Sequence, residues 1–330
     1  MILVINAGSS SLKIAIFARD LTQITTLNLG NINSHADAIA PALLTLAPHL
    51  PQLAAIAHRI VHGGATLTAP CLLTPETIAK IAACIPLAPL HNPANLACIA
   101  ALAHLNLPQY ASFDTAFHAS IPAIASTYAI PEPDRATGLR RYGFHGLSYA
   151  SLIAQLDPLP EKLLAFHLGN GASLCAILNG KSVATSMGYS PTDGLTMGTR
   201  CGQIDPMAVL ALARSHGIDH ATHILNHQSG LKALAGTNDM EQILARTDPD
   251  ARFAIDHFCH HAATQAGAAI TAMGGLDAVA FTGGIGENAP EIRDRIMAHL
   301  AYLGPKPIHI LATQEERQIA RDALSLISVP

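Results

Sequence analysis

The stretch ILVINAGSSSLKIAIF, residues 2–17, decides the fold. Ile2 to Ile5 is a continuous apolar run, Asn6 to Ser11 is a turn of Asn, Ala, Gly and Ser, and Leu12 to Phe17 is apolar again around a single charge, Lys13. Two short apolar runs about a Gly/Ser turn predict a β-hairpin. Gly8 lets the backbone of such a loop approach an anion closely. The pattern returns in LLAFHLGNGASLCAIL, residues 163–178, with Leu168 to Ala172 as the turn and Ser11-Leu12 aligning with Ser173-Leu174. A third Gly-rich turn, Gly283 to Asn288, follows the predicted strand Ala278 to Thr282. A helix is expected from Pro290, because Pro and Glu291 suit a first turn. One such hairpin alone carries little information. Two copies and a strand–Gly-turn–helix unit predict duplicated α/β domains with a nucleotide in the cleft between them.

Working outward, Leu53 to Val61, Tyr110 to Phe113 and Ala123 to Tyr128 read as further strands, and Asn95 to Leu105 and Arg252 to Met273 as helices. Ile39 to Pro51 reads as a connection broken by Pro41, Pro48 and Pro51. A chain of 330 residues can bury two cores. The net charge is −4 with 13% charged residues and no Lys/Arg runs, so neither a nucleic acid nor an anionic membrane is expected as a partner. Mean hydropathy is high at +0.31, but the most apolar stretch, Ile39 to Ala57, is interrupted by three prolines, His49 and Gln52. The run Ile2 to Ile5 is too short for a signal peptide. Six cysteines without C-x-x-C spacing point to neither zinc nor a disulfide framework, and a cytoplasmic enzyme is expected.

Phosphoryl transfer needs a phosphate cradle, a divalent metal, cationic clamps and a carboxylate. The Gly turns are candidate cradles. In a chain poor in charge, Arg59, Asp114 and Arg200 stand out beside strand ends or Gly-rich loops, with His145 between Phe144 and Gly146. Taken singly, each is more readily a paired surface charge or a cap.

Together, the motifs NAGSSSLK (6–13), HRIVHGG (58–64), LHNP (90–93), FDTAFH (113–118), YGFHG (142–146), HLGNG (167–171), MGYSP (187–191) running to GTR (198–200), and FTGGIGEN (281–288) resemble those of the acetate kinases, in family order. The resemblance runs from residue 2 to about residue 321. It implies the fold of the acetate and sugar kinase, Hsp70 and actin superfamily: two duplicated actin-like (ribonuclease H-like) α/β domains around a nucleotide cleft. The domains would span 1–115 and 116–316, with a C-terminal helix at 317–330 packing back on the first. It implies Asp114, His145 and Arg200 as catalytic residues. Asp114 would position the acceptor and balance metal charge, because acetate is already deprotonated at neutral pH. Arg59 would bind the substrate carboxylate, its planar fork matching anionic oxygens. Val61, Leu90, Phe144 and Pro191 would line the acyl pocket. Asn6 and Glu315 resemble the positions for Mg²⁺ (or Mn²⁺). Lys13, His167, Leu168, Gly169, Asn170, Gly171, Asp239, Met240, Glu241, Gly284, Ile285, Gly286, Glu287 and Asn288 resemble the contacts to ATP. The implied partners are ATP and a small carboxylic acid, and the implied assembly is a homodimer.

The chain departs from the family pattern in being short between Phe17 and Arg59 and again before Thr313, with Gln314 for Asn, Gln203 for Asp and Glu241 for an Arg along the nucleotide. One methylene in an apolar pocket is worth only about 1–3 kcal/mol, so propionate and butyrate stay open beside acetate. A nucleotide sensor without turnover is disfavoured by retention of the whole catalytic set, and a sugar kinase by Arg59 and the small pocket. His216, His220, His223 and His227 would share one face of a continuous helix, and His257, His260 and His261 cluster; metal binding there is weighed against a solvated or interface face, which Gly217 favours.

Overall fold

The computed structural model describes residues 1–8, 11–32 and 34–327. Ser9 and Ser10 of the first turn, and 328–330 of the expected terminal helix, lie outside the described residues. The chain divides into two compact units: Met1–Ala119 with Gly146–Ser151 and the segment from Gln314, and Ser120–His145 with Leu152–Thr313.

The first unit holds a six-stranded sheet of β1 (Ile2–Ala7), β2 (Ser11–Phe17), β3 (Gln23–Gly30), β4 (Ala55–Ile60), β5 (Cys71–Leu72) and β6 (Gln109–Phe113), in the order β3-β2-β1-β4-β6-β5. The second holds β7 (Lys162–Leu168), β8 (Ala172–Leu178), β9 (Lys181–Thr185), β10 (Ala278–Thr282) and β11 (Ile308–Ile310), in the order β11-β10-β7-β8-β9. In each, an antiparallel three-stranded meander carries two parallel strands on its first member. Omitting the short edge strand β5, the two sheets have one topology, and the sequence duplication is a structural one.

β1 is buried along its whole length because both faces are covered. Leu3 and Ile5 pack with the helices His35–Thr45 and Asn92–Ala101, while Ile2 and Val4 meet Leu147, Ile319, Ala320 and Ala323. The last three belong to the helix Glu315–Ile327. In the second unit, Phe166 of β7 and Phe281 of β10 stack at 5.0 Å.

Four expectations need correction. His35–Thr45 is a helix, not a Pro-broken connection. Ser34 caps it by accepting from the Asp37 amide, Pro41 is exposed on its outer side, and Ile39, Ala42 and Leu43 are buried. Proline inside a helix costs about 3 kcal/mol, whereas Ile39 and Leu43 each contribute about 1.5–3 kcal/mol by burial, so tertiary packing wins. Ala123 to Tyr128 is no strand: Ala123–Ser126 is a helical turn behind Pro122, and only Thr127 forms a bridge, with Arg140. Short apolar runs do not distinguish the two states. The Gly turn after β10 is itself helical, Gly283–Asn288. Gly283 starts it at φ +80°, where a Cβ would press on the Leu168 backbone. Finally, the hairpin pairing sets Leu12 opposite Ala7 and Ala172 opposite Leu168, so Leu12 corresponds to Ala172 and the Ser-Leu alignment is two residues out. With a side-chain period of two, that slip leaves the buried face unchanged.

Candidate active site

Each unit gathers candidate side chains near the carboxyl ends of its parallel strands, where open α/β sheets bind ligands. In the first unit these are Asn6 on β1, Arg59 on β4 and Asp114 just after β6. Arg59 donates from Nε to both Asp114 oxygens, at 3.0 and 3.1 Å, from Nη2 to Oδ2 at 2.6 Å, and from Nη1 to Asn6 Oδ1 at 3.0 Å. These contacts engage three of the five guanidinium N–H groups and leave two. Asn6 Nδ2 in turn donates to Glu316 Oε1 at 2.7 Å and Glu315 Oε2 at 3.3 Å. Lys13, opposite Asn6 in the β1–β2 register, lies 3.9 Å from Glu316. Burial works against the charge of Arg59, but Asp114, with Glu315 and Glu316 beyond it, outweighs burial and holds the guanidinium above its usual value. For Asp114 burial is the larger influence: it pushes the carboxyl up against the pull of Arg59, and Glu315 adds to the rise.

Three carboxylates around two cations leave local negative charge, and the donors are hard oxygens. That set fits Mg²⁺, which takes one or two carboxylates and completes its shell with water and phosphate oxygens. The Asn6 carbonyl keeps a second lone pair beside its bond to Arg59. Among the described residues no group of three or more His, Cys, Asp or Glu is arranged to hold a metal alone.

Two asparagines hold this strand-end geometry. Asn95 Oδ1 accepts from the Val61 amide at 3.2 Å and its Nδ2 donates to the Ala7 carbonyl, tying the ends of β4 and β1. Asn92 Oδ1 accepts from the His62 amide and its Nδ2 donates to the His62 and Ile81 carbonyls. Both are buried on an apolar helix, Asn92–Ala101. Sequence reading gave neither a role; two amides three apart among Leu, Ala and Ile were the available signal. Sequence reading named Glu315 and not Glu316, and both accept from Asn6. Of the acyl-pocket candidates here, Val61 is buried and Leu90 is 53% exposed.

In the second unit His145 and Arg200 meet at the turn between β7 and β8. A Cβ placed on Gly171 would lie 3.3 Å from His145 Nε2 and 3.6 Å from Arg200 Nη1. His145 Nδ1 is 2.9 Å from Ser173 Oγ, and its ring lies 4.1 Å from that of His167, at 31°. Arg200 Nη1 donates to the Pro191 carbonyl at 3.2 Å, and Phe144 is buried. Asn170 accepts from the Gly198 amide through its carbonyl and from Asn238 Nδ2 through Oδ1, both at 2.9 Å. The Gly284 amide lies 3.9 Å from where a Gly169 Cβ would sit, so two of the predicted cradles are adjacent.

The remaining nucleotide candidates divide. Leu168 and Met240 have buried side chains, leaving only backbone for a ligand. Asp239 caps the helix Met240–Leu244, accepting from the amides of Glu241 and Gln242. Glu241 is exposed. Arg246, the nearby cation that could substitute for it, pairs with Asp248 at 2.8 Å and donates to the Ala235 carbonyl. Glu287 Oε1 accepts from the amides of Gly283 and Thr313 at 3.0 and 3.1 Å, clamping the turn from within. Asn288 donates to the Gly284 carbonyl, and Ile285 and Gly286 complete the short helix. The continuous histidine face is broken: Gly217, at φ +79°, ends Pro206–His216, leaving the ring pairs His216–His220 and His223–His227.

A family model described as the acetokinase family matches residues 24–323. An acetate kinase of Rhodopseudomonas palustris is 41% identical, over 92% of this chain and 87% of its own. The chain belongs to the acetokinase family. As a member it is a kinase with a carboxylate as acceptor. Among solved structures this acetokinase is similar to an acetate kinase of Porphyromonas gingivalis, with 30% identity, 99% of each chain covered and a TM-score of 0.89. It is also similar to a propionate kinase of Francisella tularensis, with 35% identity, 97% and 98% covered and a TM-score of 0.90. The actin-like fold is shared with both. No helix among the described residues is long and apolar enough to cross a membrane.

Proposed function

We propose that this acetokinase moves the γ-phosphate of ATP onto acetate, giving acetyl phosphate and ADP. The observation that carries the proposal is the meeting of His145 Nε2 and Arg200 Nη1 at the Gly171 turn. Two donors at one point of a glycine turn suit the charge that spreads over the equatorial oxygens in flight. An acetate oxygen attacks the γ-phosphorus while the bond to the β-phosphate oxygen breaks, and no proton moves on the acceptor. Asp114 therefore acts by position and charge, and Arg59 offers its two remaining donors to the acetate carboxylate. Val61, Leu90, Phe144 and Pro191 are assigned to the acyl methyl group. The nucleotide is assigned to Lys13, to 167–171, to 239–241 through the Asp239 helix start, and to 284–288. Asn6 and Glu315 would hold Mg²⁺, which supplies charge neutralisation at the phosphates. Domains of 1–115 and 116–316, a homodimer and a cytoplasmic location complete the proposal; light scattering tests the dimer.

Purified protein with Mg²⁺ and ATP should give hydroxylamine-reactive acyl phosphate from acetate, and chelation should stop it. Propionate is the second reading, supported by the 35% identity to a propionate kinase; the higher kcat/KM among acetate, propionate and butyrate decides. No product with any of the three would leave a nucleotide-binding sensor instead.

A further inference from the structure

We propose that Ser173 is a positioning residue that fixes His145 in its Nε2–H tautomer, so that a neutral imidazole donates to the transferring phosphoryl group. The inference rests on the reading that His145 touches that group. Ser173 lies on β8, is fully buried, and sets its Oγ 2.9 Å from His145 Nδ1. The opposite ring nitrogen, Nε2, faces Gly171. His145 is also held at φ +59°, a left-handed conformation that a residue with a side chain seldom adopts, and such backbones concentrate at functional sites. Backbone, hydroxyl and the His167 ring together fix where Nε2 points.

The chemistry turns on which nitrogen carries the proton. A phosphate oxygen needs a donor. The groups facing the ring include Ser173 at Nδ1, His167 at 4.1 Å and Arg200 across Gly171, and a further positive charge beside Arg200 is disfavoured. The donor must then be a neutral imidazole protonated at Nε2, and its Nδ1 must accept. A backbone carbonyl against Nδ1 would enforce the reverse, with a lone pair aimed at the phosphate. A hydroxyl is able to donate to Nδ1 and leave the proton on Nε2.

Long-range ¹⁵N spectra of histidine-labelled wild-type protein at pH 7.5 test this directly, with the His145 signal assigned by its loss in His145→Gln. The expected state is protonated Nε2 and bare Nδ1; protonated Nδ1 overturns the inference. In kinetics, Ser173→Ala should lower kcat about tenfold with KM values within about threefold. Its kcat should also fall as pH rises, because the imidazolium donates from both nitrogens whereas neutral His145 is then no longer held in one tautomer. Ser173→Cys, similar in size but a weaker donor, should lie between the two. Alanine and cysteine variants matching wild type in kcat and pH profile overturn it, as does a loss in alanine with an unchanged pH profile and full recovery in cysteine, which is a packing effect. If Ser173→Ala does not fold, the wild-type tautomer decides. Wild-type protein without kinase activity but with the Nε2–H tautomer refutes the proposed function and not the placement of the proton.

Discussion

Replacing Gly171 by Ala tests the meeting point of His145 and Arg200. The φ of Gly171 lies outside the left-handed region, so alanine brings no backbone strain. The added methyl would sit 3.3 Å from His145 Nε2, 3.4 Å from its Cε1 and 3.6 Å from Arg200 Nη1. The last two are ordinary contacts, and the first asks the imidazole to yield by a few tenths of an ångström. Fold stability should therefore hardly change. Catalysis is less tolerant. Donors act at about 2.7–3.1 Å from a developing anionic oxygen, and loss of one such donor costs about 10²–10³ in rate. The methyl both shifts Nε2 and takes part of the space an equatorial oxygen would fill. A decrease in kcat of about 10- to 100-fold is expected, or about 1.4–2.7 kcal/mol of transition-state stabilisation. The KM for acetate should stay within about threefold, because ground-state binding of the acceptor uses other residues. The hydroxylamine assay measures this, with thermal unfolding as the control for folding and Gly30→Ala as the control for substitution, since a Cβ on Gly30 meets nothing within 4 Å. A folded Gly171→Ala enzyme with kcat within about twofold of wild type refutes the convergence of the two donors on the transferring phosphate.

Asp114→Asn should remove most turnover while nucleotide still binds in a fluorescence titration; in wild type, because burial raises the Asp114 carboxyl, kcat should begin to fall at a higher pH than an ordinary carboxylate would dictate as the solution is acidified. Arg200→Ala should lower kcat by about 10²-fold or more and raise KM less, and equal effects on both would make it a ground-state binder. Glu241→Arg should lower the KM for ATP severalfold without moving that for acetate, since Arg246 is already engaged with Asp248; a cation over the nucleotide is worth about 0.5–2 kcal/mol, and unchanged KM values for ATP and GTP would mean that position 241 does not touch the nucleotide. Burial holds His58 down to about 4, below its unfolded value near 6.5, so the folded state resists its protonation: stability is intact above about 6.5 and falls by about 3 kcal/mol as pH drops toward 4. The unfolding midpoint at pH 5 against pH 7.5 measures this, and the difference should shrink in His58→Gln.

The local chemistry of the chain was legible in its sequence wherever one short segment carries the whole signal. The strand–turn–strand units at 2–17 and 163–178 follow from apolar runs interrupted by Gly, Ser and Asn, and their repetition declared the duplication. Arg59, Asp114, His145 and Arg200 stood out by their setting in a chain with 13% charge, and only the resemblance of the motifs around them gave them roles. The failures have a common cause. Pro41 reads as a breaker until the faces that Ile39 and Leu43 bury are known, and Ala123–Ser126 reads as a strand until it is seen to lack a neighbouring strand.

Tertiary structure alone decided what each polar group touches. That Arg59 spends three donors on Asp114 and Asn6, that Asn92 and Asn95 bind the backbone at the ends of β1 and β4, and that Glu287 ties Thr313 to its own turn all depend on residues 4 to 88 positions apart. So does the pairing of His145 with Ser173, 28 residues away. A periodicity of 2.0 or 3.6 reports which face of an element is apolar, and it is a property of a few neighbouring residues. A hydrogen bond needs its partner within about 3 Å, and only the assembled fold brings distant strand ends that near.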